Sequence, residues 1–104
     1  MEVTKLWLDD VRPAPPGWLW VYTVDEAIGV IMQGGITEIS LDNDLGATEP
    51  EGYKVADWIE EQAVLGKLER INRLAAHTQN MCARDRMTNA FRNAVRAWDG
   101  QDGS

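Results

Sequence analysis

The stretches Lys5–Asp10 (KLWLDD) and Ile39–Asp44 (ISLDND) decide the fold. Each is an apolar run that suits a buried strand, and each ends in a pair of aspartates. A third run, Ile71–Ala76 (INRLAA), ends instead in His77. Neighbouring parallel strands end at the same edge of a sheet, where open α/β sheets bind ligands. We therefore expect four carboxylates and one imidazole to meet at one edge.

Helical patterns alternate with these strands. Thr23, with Glu26 three residues later, forms a capping box that begins a first helix, and the glycines at 34–35 end it. Apolar residues recur at helical spacing over residues 55–63 and, most regularly, over residues 83–98. These patterns predict three helices.

Strands that alternate with helices predict a mostly parallel sheet. Residues 18–22 (WLWVY) predict a further strand, which is second along the chain and brings the number of strands to four. The proline-rich segment 12–17 occupies the position where a helix would be expected after the first strand. We expect a small doubly wound α/β fold of four strands, with Trp7 in its core. Residues 1–99 are predicted to form one domain, and residues 100–104 (GQDGS) a disordered tail.

Charge and composition exclude several classes of function. The chain has 104 residues, a formal net charge of −7 and one cysteine, Cys82. General DNA binding and attachment to anionic membranes both need clustered cations, so neither is expected. No apolar run reaches the length of a membrane span, and a lone cysteine suits a reducing compartment, so we expect a cytoplasmic protein. The sequence leaves the oligomeric state open.

Asp9, Asp10 and Asp42 are the candidate metal ligands. Oxygen-rich sites of this kind suit Mg²⁺ or Mn²⁺. The simpler interpretation is that these aspartates only form turns and caps. It explains Asp44 well, but it explains less well why two separate strands end in Leu-Asp.

Other polar residues near the same edge are candidates for catalysis or substrate binding. His77 is a candidate general acid or base, and the alternative is a half-buried histidine bonded to the backbone. Arg12 and Arg84 are candidates to hold phosphate oxygens, Thr78 to bond one, and Asn80 to begin the last helix, whose free N–H groups attract anions. Plainer roles as surface, strand end and helix cap remain open for these four.

The motifs resemble those of the cyclic-phosphate processing receiver-like domains, an offshoot of the receivers of response regulators. The corresponding segments are residues 6–18, 40–46, 52–55 and 77–80. The resemblance implies a receiver-like or flavodoxin-like fold with an acidic pocket that binds a divalent metal. It also implies action on a cyclic phosphate.

By position, Asp9 and Asp10 match the metal-binding pair of receivers, and Asp42 matches their phosphoacceptor. Asp44, His77 and Asn80 are the residues that distinguish this family from signalling receivers. Asn43 stands where the family usually has histidine.

Our leading hypothesis is a phosphoesterase that depends on Mg²⁺ or Mn²⁺ and opens a cyclic phosphate on a nucleotide or an RNA end. Asp42, Asp44 and His77 are its predicted catalytic residues, and Asp42 acts either as a metal ligand or as the nucleophile. Two alternatives come from other classes. One is a module that binds a cyclic nucleotide or phosphate without turnover, and the other is a receiver-like protein-interaction domain.

Overall fold

The computed structural model describes residues 4–102, which form four strands and three helices. The elements are β1 Lys5–Leu8, β2 Leu19–Val21, α1 Val24–Met32, β3 Glu38–Leu41, α2 Tyr53–Val64, β4 Arg73–Ala76 and α3 Met81–Asp102. None of the described helices is both long and apolar enough to cross a membrane. Residues 1–3 of the predicted domain lie outside the described residues.

The four strands form one parallel sheet in the order β2-β1-β3-β4. The predicted α/β, receiver-like fold with a four-stranded parallel sheet and three helices is confirmed. Each strand is shorter than its apolar run, because only part of the run pairs with a neighbouring strand.

The hydrophobic core lies on one face of this sheet. Leu6, Leu8, Ile39 and Leu41 alternate along β1 and β3 and are fully buried. They belong to one apolar cluster that includes residues of all three helices. The helices therefore form a single layer over the side of the sheet to which these residues point.

The connections between strands explain this one-sided arrangement. The β2–α1–β3 and β3–α2–β4 crossovers step across the sheet in the same direction, so right-handed crossovers place α1 and α2 on the same face. The β1–β2 connection steps the other way, and it contains the proline-rich segment 12–17 and no helix. A doubly wound sheet carries helices on both faces; within residues 4–102 this sheet carries them on one.

Aromatic side chains cover part of the sheet face that carries no helix. Trp7 lies on the helix-free face, where its ring meets Trp18 edge to face at 5.9 Å between centroids. On the same side, Trp20 packs against Tyr22 at 4.9 Å. Trp7 is only partly buried, so its expected place in the core is wrong: it alternates with Leu6 and Leu8, which point to the helices.

The predicted capping box at the start of α1 is confirmed. The Thr23 hydroxyl accepts a hydrogen bond from the Glu26 N–H, and the Glu26 carboxylate accepts one from the Tyr22 N–H. The helix ends at Met32, and Gly34 and the following glycine both have positive φ. Glycine has no Cβ and adopts this left-handed conformation without steric cost.

The last helix corrects the predicted tail. Residues 100–102 are helical, and residues 103–104 lie outside the described part of the chain. Arg70 forms ion pairs with Asp99 and Asp102, and Gln101 donates a hydrogen bond to the Ala63 carbonyl at 2.8 Å. These contacts join the end of α3 to distant parts of the chain, so the helix continues through Gly100.

Candidate functional site

Three predicted site residues meet where β1, β3 and β4 end. Asp9, Asp42 and His77 directly follow these strands, whose register brings their ends level. Each residue offers one possible ligand atom, and these atoms lie within 4.8 Å of one another. We call Asp9, Asp42 and His77 the edge cluster.

Asp9 is held rigidly and is 1% exposed. Its Oδ1 accepts hydrogen bonds from the N–H groups of Val11 at 2.8 Å and Arg12 at 2.9 Å, and its Oδ2 lies 3.0 Å from His77 Nε2. Burial raises the pKa of Asp9, but these hydrogen bonds outweigh burial and leave the pKa below that of an ordinary aspartate. Asp9 is therefore a stable anion at neutral pH.

Asp42 has the opposite electrostatic character. It is 8% exposed. Burial raises its pKa, a backbone hydrogen bond from Asn43 partly offsets this, and the nearby charge of Asp9 raises the pKa further. A bound cation would relieve this repulsion between two buried carboxylates.

His77 is fixed on three sides. Its Nδ1 lies 2.7 Å from Ser40 Oγ and its Nε2 faces Asp9, while its ring stacks on Trp7 at 3.9 Å between centroids and 6° between planes. Burial lowers the pKa of His77, and the hydrogen bond with Asp9 opposes this only in part. The neutral imidazole is therefore favoured at neutral pH.

The edge cluster adjoins an open cavity of about 420 Å³. Its charged and hydroxyl-bearing lining residues are Asp9, Asp10, Arg12, Asp42, Asp44 and Thr78. Asp10 and Asp44 line this cavity without belonging to the edge cluster. The predicted acidic residues thus share one cavity, and two of them, Asp9 and Asp42, are buried. His77 contacts Asp9 but is not among the described residues that line the cavity.

Two predicted substrate-binding residues form hydrogen bonds at the start of α3 and do not line the cavity. Asn80 accepts a hydrogen bond from the Ala83 N–H at 3.1 Å, as an N-cap does, and Arg84 donates to the Thr78 carbonyl at 3.0 Å. Neither Asn80 nor Arg84 is among the described residues that line the cavity. The Thr78 hydroxyl accepts from the Asn80 N–H and is almost fully buried, whereas the Arg12 side chain is about half exposed.

Asn43 and Gly52 join the site to α2. Asn43 is fully buried; its amide donates to the Glu51 carboxylate at 2.9 Å and accepts from the Tyr53 N–H at 3.1 Å. Gly52 lies so close to β3 that an added Cβ would be 1.8 Å from the Asp42 carbonyl oxygen. Only glycine fits there without a shift of the backbone.

Sequence reasoning missed Ser40 and Trp7 as parts of the site. The period of a strand is two, so Ser40 points to the same face as Asp42, and Trp7 to the same face as Asp9. This alternation was the available signal. The buried role of Asn43 had no such signal, because it depends on the path of the loop.

The donor set of the edge cluster fits a divalent cation. Two buried carboxylates supply the oxygen ligands that Mg²⁺ and Mn²⁺ prefer, and the exposed cavity leaves room for water ligands. Asp10 and Asp44 are further carboxylates that line the cavity. The residues present suit these ions by number and type.

Comparison with known protein families gives a match to most of the chain. The model of a family described as the cyclic-phosphate processing receiver domain matches residues 4–93. This range includes all four strands and the edge cluster. No curated protein and no solved structure matches the chain.

Proposed function

Because the chain belongs to the cyclic-phosphate processing receiver domain family, we propose that it is a divalent-metal-dependent phosphoesterase that opens a cyclic phosphate. The single observation that carries this proposal is the edge cluster, in which Asp9, Asp42 and His77 converge within 4.8 Å beside an open cavity. Such a site combines metal-binding carboxylates with a group that can carry a proton at working pH.

Asp9 and Asp42 would hold Mg²⁺ or Mn²⁺, with Asp10 as a further candidate ligand from the cavity wall. When bound, the cation would polarise the phosphoryl group and lower the pKa of a bound water. Asp44 would add negative charge that attracts the cation.

The reaction adds one water molecule across one ester bond of the ring. The water oxygen forms a bond to phosphorus, the bond between phosphorus and one ring oxygen breaks, and a proton from water ends on the released alkoxide. His77 would carry that proton, because its imidazole lies at the cluster and can both accept and donate. Arg12, which lines the cavity, would neutralise charge on the phosphoryl oxygens.

A variant of this mechanism makes Asp42 the nucleophile. Its carboxylate would form the bond to phosphorus while the ring ester bond breaks and the alkoxide takes a proton from the minor, protonated form of His77, to which the hydrolytic water later returns a proton. Water would then hydrolyse the aspartyl phosphate and restore the carboxylate. Both versions need Asp42 ionised and His77 in place.

The position of Asn43 favours the enzyme over the module that only binds. Asn43 replaces the histidine usual in the family, but it is fully buried and bonded to the start of α2. The replacement therefore leaves Asp9, Asp42 and His77 of the edge cluster in place.

The substrate is proposed to be a small cyclic nucleotide or an RNA end. The cavity is open, so it admits a terminal phosphate that is attached to a longer chain.

We also propose that the protein is located in the cytoplasm. The single thiol, Cys82, is exposed, which suits a reducing compartment such as the cytoplasm.

Substitution of Asp42 tests this proposal. With Mg²⁺ or Mn²⁺ present, we expect Asp42→Asn to reduce the opening of a 2′,3′-cyclic nucleotide to background, because a ligand or nucleophile is lost at nearly constant volume. Asp85→Asn is the matched control, since Asp85 is exposed on α3 and does not line the cavity.

Unchanged turnover in Asp42→Asn would refute both versions of the mechanism. Tight binding of the cyclic nucleotide by the natural chain without any product would favour the binding module. Failure to bind either a divalent cation or a phosphate ligand would favour the protein-interaction domain.

A further inference from the structure

The hydroxyl of Ser40 is a buried polar group in the middle of the apolar strand β3. Ser40 is 6% exposed, and its Oγ lies 2.7 Å from His77 Nδ1. Serine has no apolar surface to add to a buried strand, and a buried polar group costs stability unless it is hydrogen-bonded. The hydrogen bond with His77 therefore explains why this hydroxyl is tolerated here.

Ser40 and Asp9 together distinguish the two nitrogens of His77. Nε2 lies 3.0 Å from Asp9 Oδ2 at the edge cluster, whereas Nδ1 is turned toward β3 and Ser40. A serine hydroxyl can donate to an unprotonated Nδ1 or accept from a protonated one. With an Nε2–H facing the Asp9 carboxylate, Nδ1 accepts from Ser40 in the neutral ring and donates to it in the imidazolium, so the same ring orientation is satisfied in both forms.

Trp7 restricts the remaining freedom of the ring. Its indole is parallel to the imidazole within 6° at 3.9 Å, and its Nε1 donates to the Arg12 carbonyl at 2.9 Å. Stacking keeps the imidazole in one plane, but a 180° turn about the Cβ–Cγ bond would preserve that plane while it exchanges Nδ1 with Cδ2 and Nε2 with Cε1. The hydrogen bond from Ser40 opposes this turn.

Ser40 is not placed to act as a nucleophile. Although Ser40, His77 and Asp9 form a hydrogen-bonded series, Ser40 is buried and is not among the described residues that line the cavity. A nucleophile has to reach the phosphorus atom. The role of Ser40 is therefore exerted through His77.

We propose that Ser40 is a positioning residue that holds the imidazole of His77 against Trp7 with Nε2 directed to the edge cluster. This inference deepens the proposed function and rests on it only for the catalytic consequence. The geometric part applies to the protein without metal or substrate.

Proton NMR of the protein alone tests the geometric part. His77 is the only histidine of the chain, so its two ring-carbon protons are identified without ambiguity. Stacking on the Trp7 indole should shift them upfield. We expect Ser40→Ala to move both signals toward the positions of a free histidine, and Ser40→Thr, which keeps the hydroxyl, to restore them in part.

Thr37→Ala is the matched control. Thr37 immediately precedes β3, and its hydroxyl donates to the Thr4 carbonyl at 3.3 Å, far along the strand from His77. We expect it to leave the His77 signals unchanged. If Ser40→Ala does not fold, Ser40→Cys replaces it, because a thiol of similar size is a weak hydrogen-bond donor.

Kinetics test the catalytic part. Loss of an orienting partner should reduce kcat by about 10- to 100-fold while KM stays within about twofold, because the interaction acts after binding. His77 signals that stay in place in both Ser40→Ala and Ser40→Cys would overturn the inference, as would an unchanged kcat. If the signals move but the natural chain opens no cyclic phosphate, the positioning role stands and the proposed function fails.

Discussion

The two buried aspartates of the edge cluster have pKa values displaced in opposite directions. The pKa of Asp9 is low because backbone N–H groups and His77 stabilise its anion against the effect of burial. Burial raises the pKa of Asp42, and the neighbouring charge of Asp9 adds to this effect. In the absence of a cation, the ionised Asp42 therefore costs folding free energy.

The cost of the Asp42 charge predicts a stability change. A raised native pKa means that the native state binds the proton more tightly than the unfolded state, so ionisation above the unfolded pKa is destabilising. Asp42→Asn should then raise the free energy of unfolding at neutral pH, because it removes this charge at nearly constant volume. Urea denaturation in chelator measures this, with Asp85→Asn as the control. A clear loss of stability would contradict the account.

The lowered pKa of His77 predicts a pH dependence. Between the native pKa and the unfolded value of about 6.5, the unfolded state binds more protons than the native state, so stability increases with pH through this window. Acidification through it should lower the Tm of the metal-free protein. The raised pKa of Asp42 acts in the opposite sense at lower pH.

His77→Gln isolates the contribution of the histidine, because the chain has no other. The difference in unfolding free energy between the natural chain and His77→Gln should shrink as the pH falls from about 7.5 to 5.5. If the unfolding free energies of the two proteins differ by a constant amount over this pH range, burial does not disfavour the charged imidazole.

At the residue scale, the sequence could predict which groups meet but not how each is held. Asp9, Asp42 and His77 follow apolar runs, and parallel pairing places such positions at one edge. The roles of Ser40 and Trp7 depend on the face to which each strand turns. The strand period gives the face on which Ser40 and Trp7 lie. The register between β1, β3 and β4 was also needed to show that both side chains contact His77.

At the element scale, α2 is placed by a very close contact at its N-terminus. Gly52 caps this helix, and its N–H donates to the Asn43 carbonyl at 2.8 Å. The space for an added Cβ is already filled by the Asp42 carbonyl oxygen. The position of α2 is therefore coupled to the strand end that carries Asp42.

This contact predicts that Gly52→Ala destabilises the protein by roughly 3 kcal/mol, because backbone atoms have to move to admit the methyl group. Gly29→Ala is the matched control: Gly29 lies within α1 with nothing within 4 Å of an added Cβ, and alanine should stabilise the helix by about 1 kcal/mol. Chemical denaturation measures both. Equal stabilities of the two variants would contradict the close approach.

Local patterns predicted the elements well where the physical cause is local. The Thr23 capping box and the proline segment 12–17 act within a few residues, and both predictions agree with the structure. The end of α3 is different, because Arg70 and Ala63 stabilise it from distant parts of the chain. A glycine at position 100 therefore did not end the helix.

At the scale of the whole molecule, the one-sided helix layer determines what surrounds the edge cluster. The helices bury one face of the sheet, and the other face carries Trp7, Trp18 and Trp20. His77 extends from this aromatic face toward Asp9 at the strand ends. The fold thus places an aromatic surface against His77 of the edge cluster.

The central claim is that this cavity opens a cyclic phosphate with the help of a divalent cation. Phosphorus NMR of the pure protein tests it most directly, with 2′,3′- and 3′,5′-cyclic mononucleotides, a cyclic dinucleotide and ADP-ribose 1″,2″-cyclic phosphate. Each is incubated with Mg²⁺, with Mn²⁺ and with chelator. We expect a new phosphomonoester or opened-diester signal from at least one compound only when a cation is present. Unchanged spectra for every compound with both cations would contradict it.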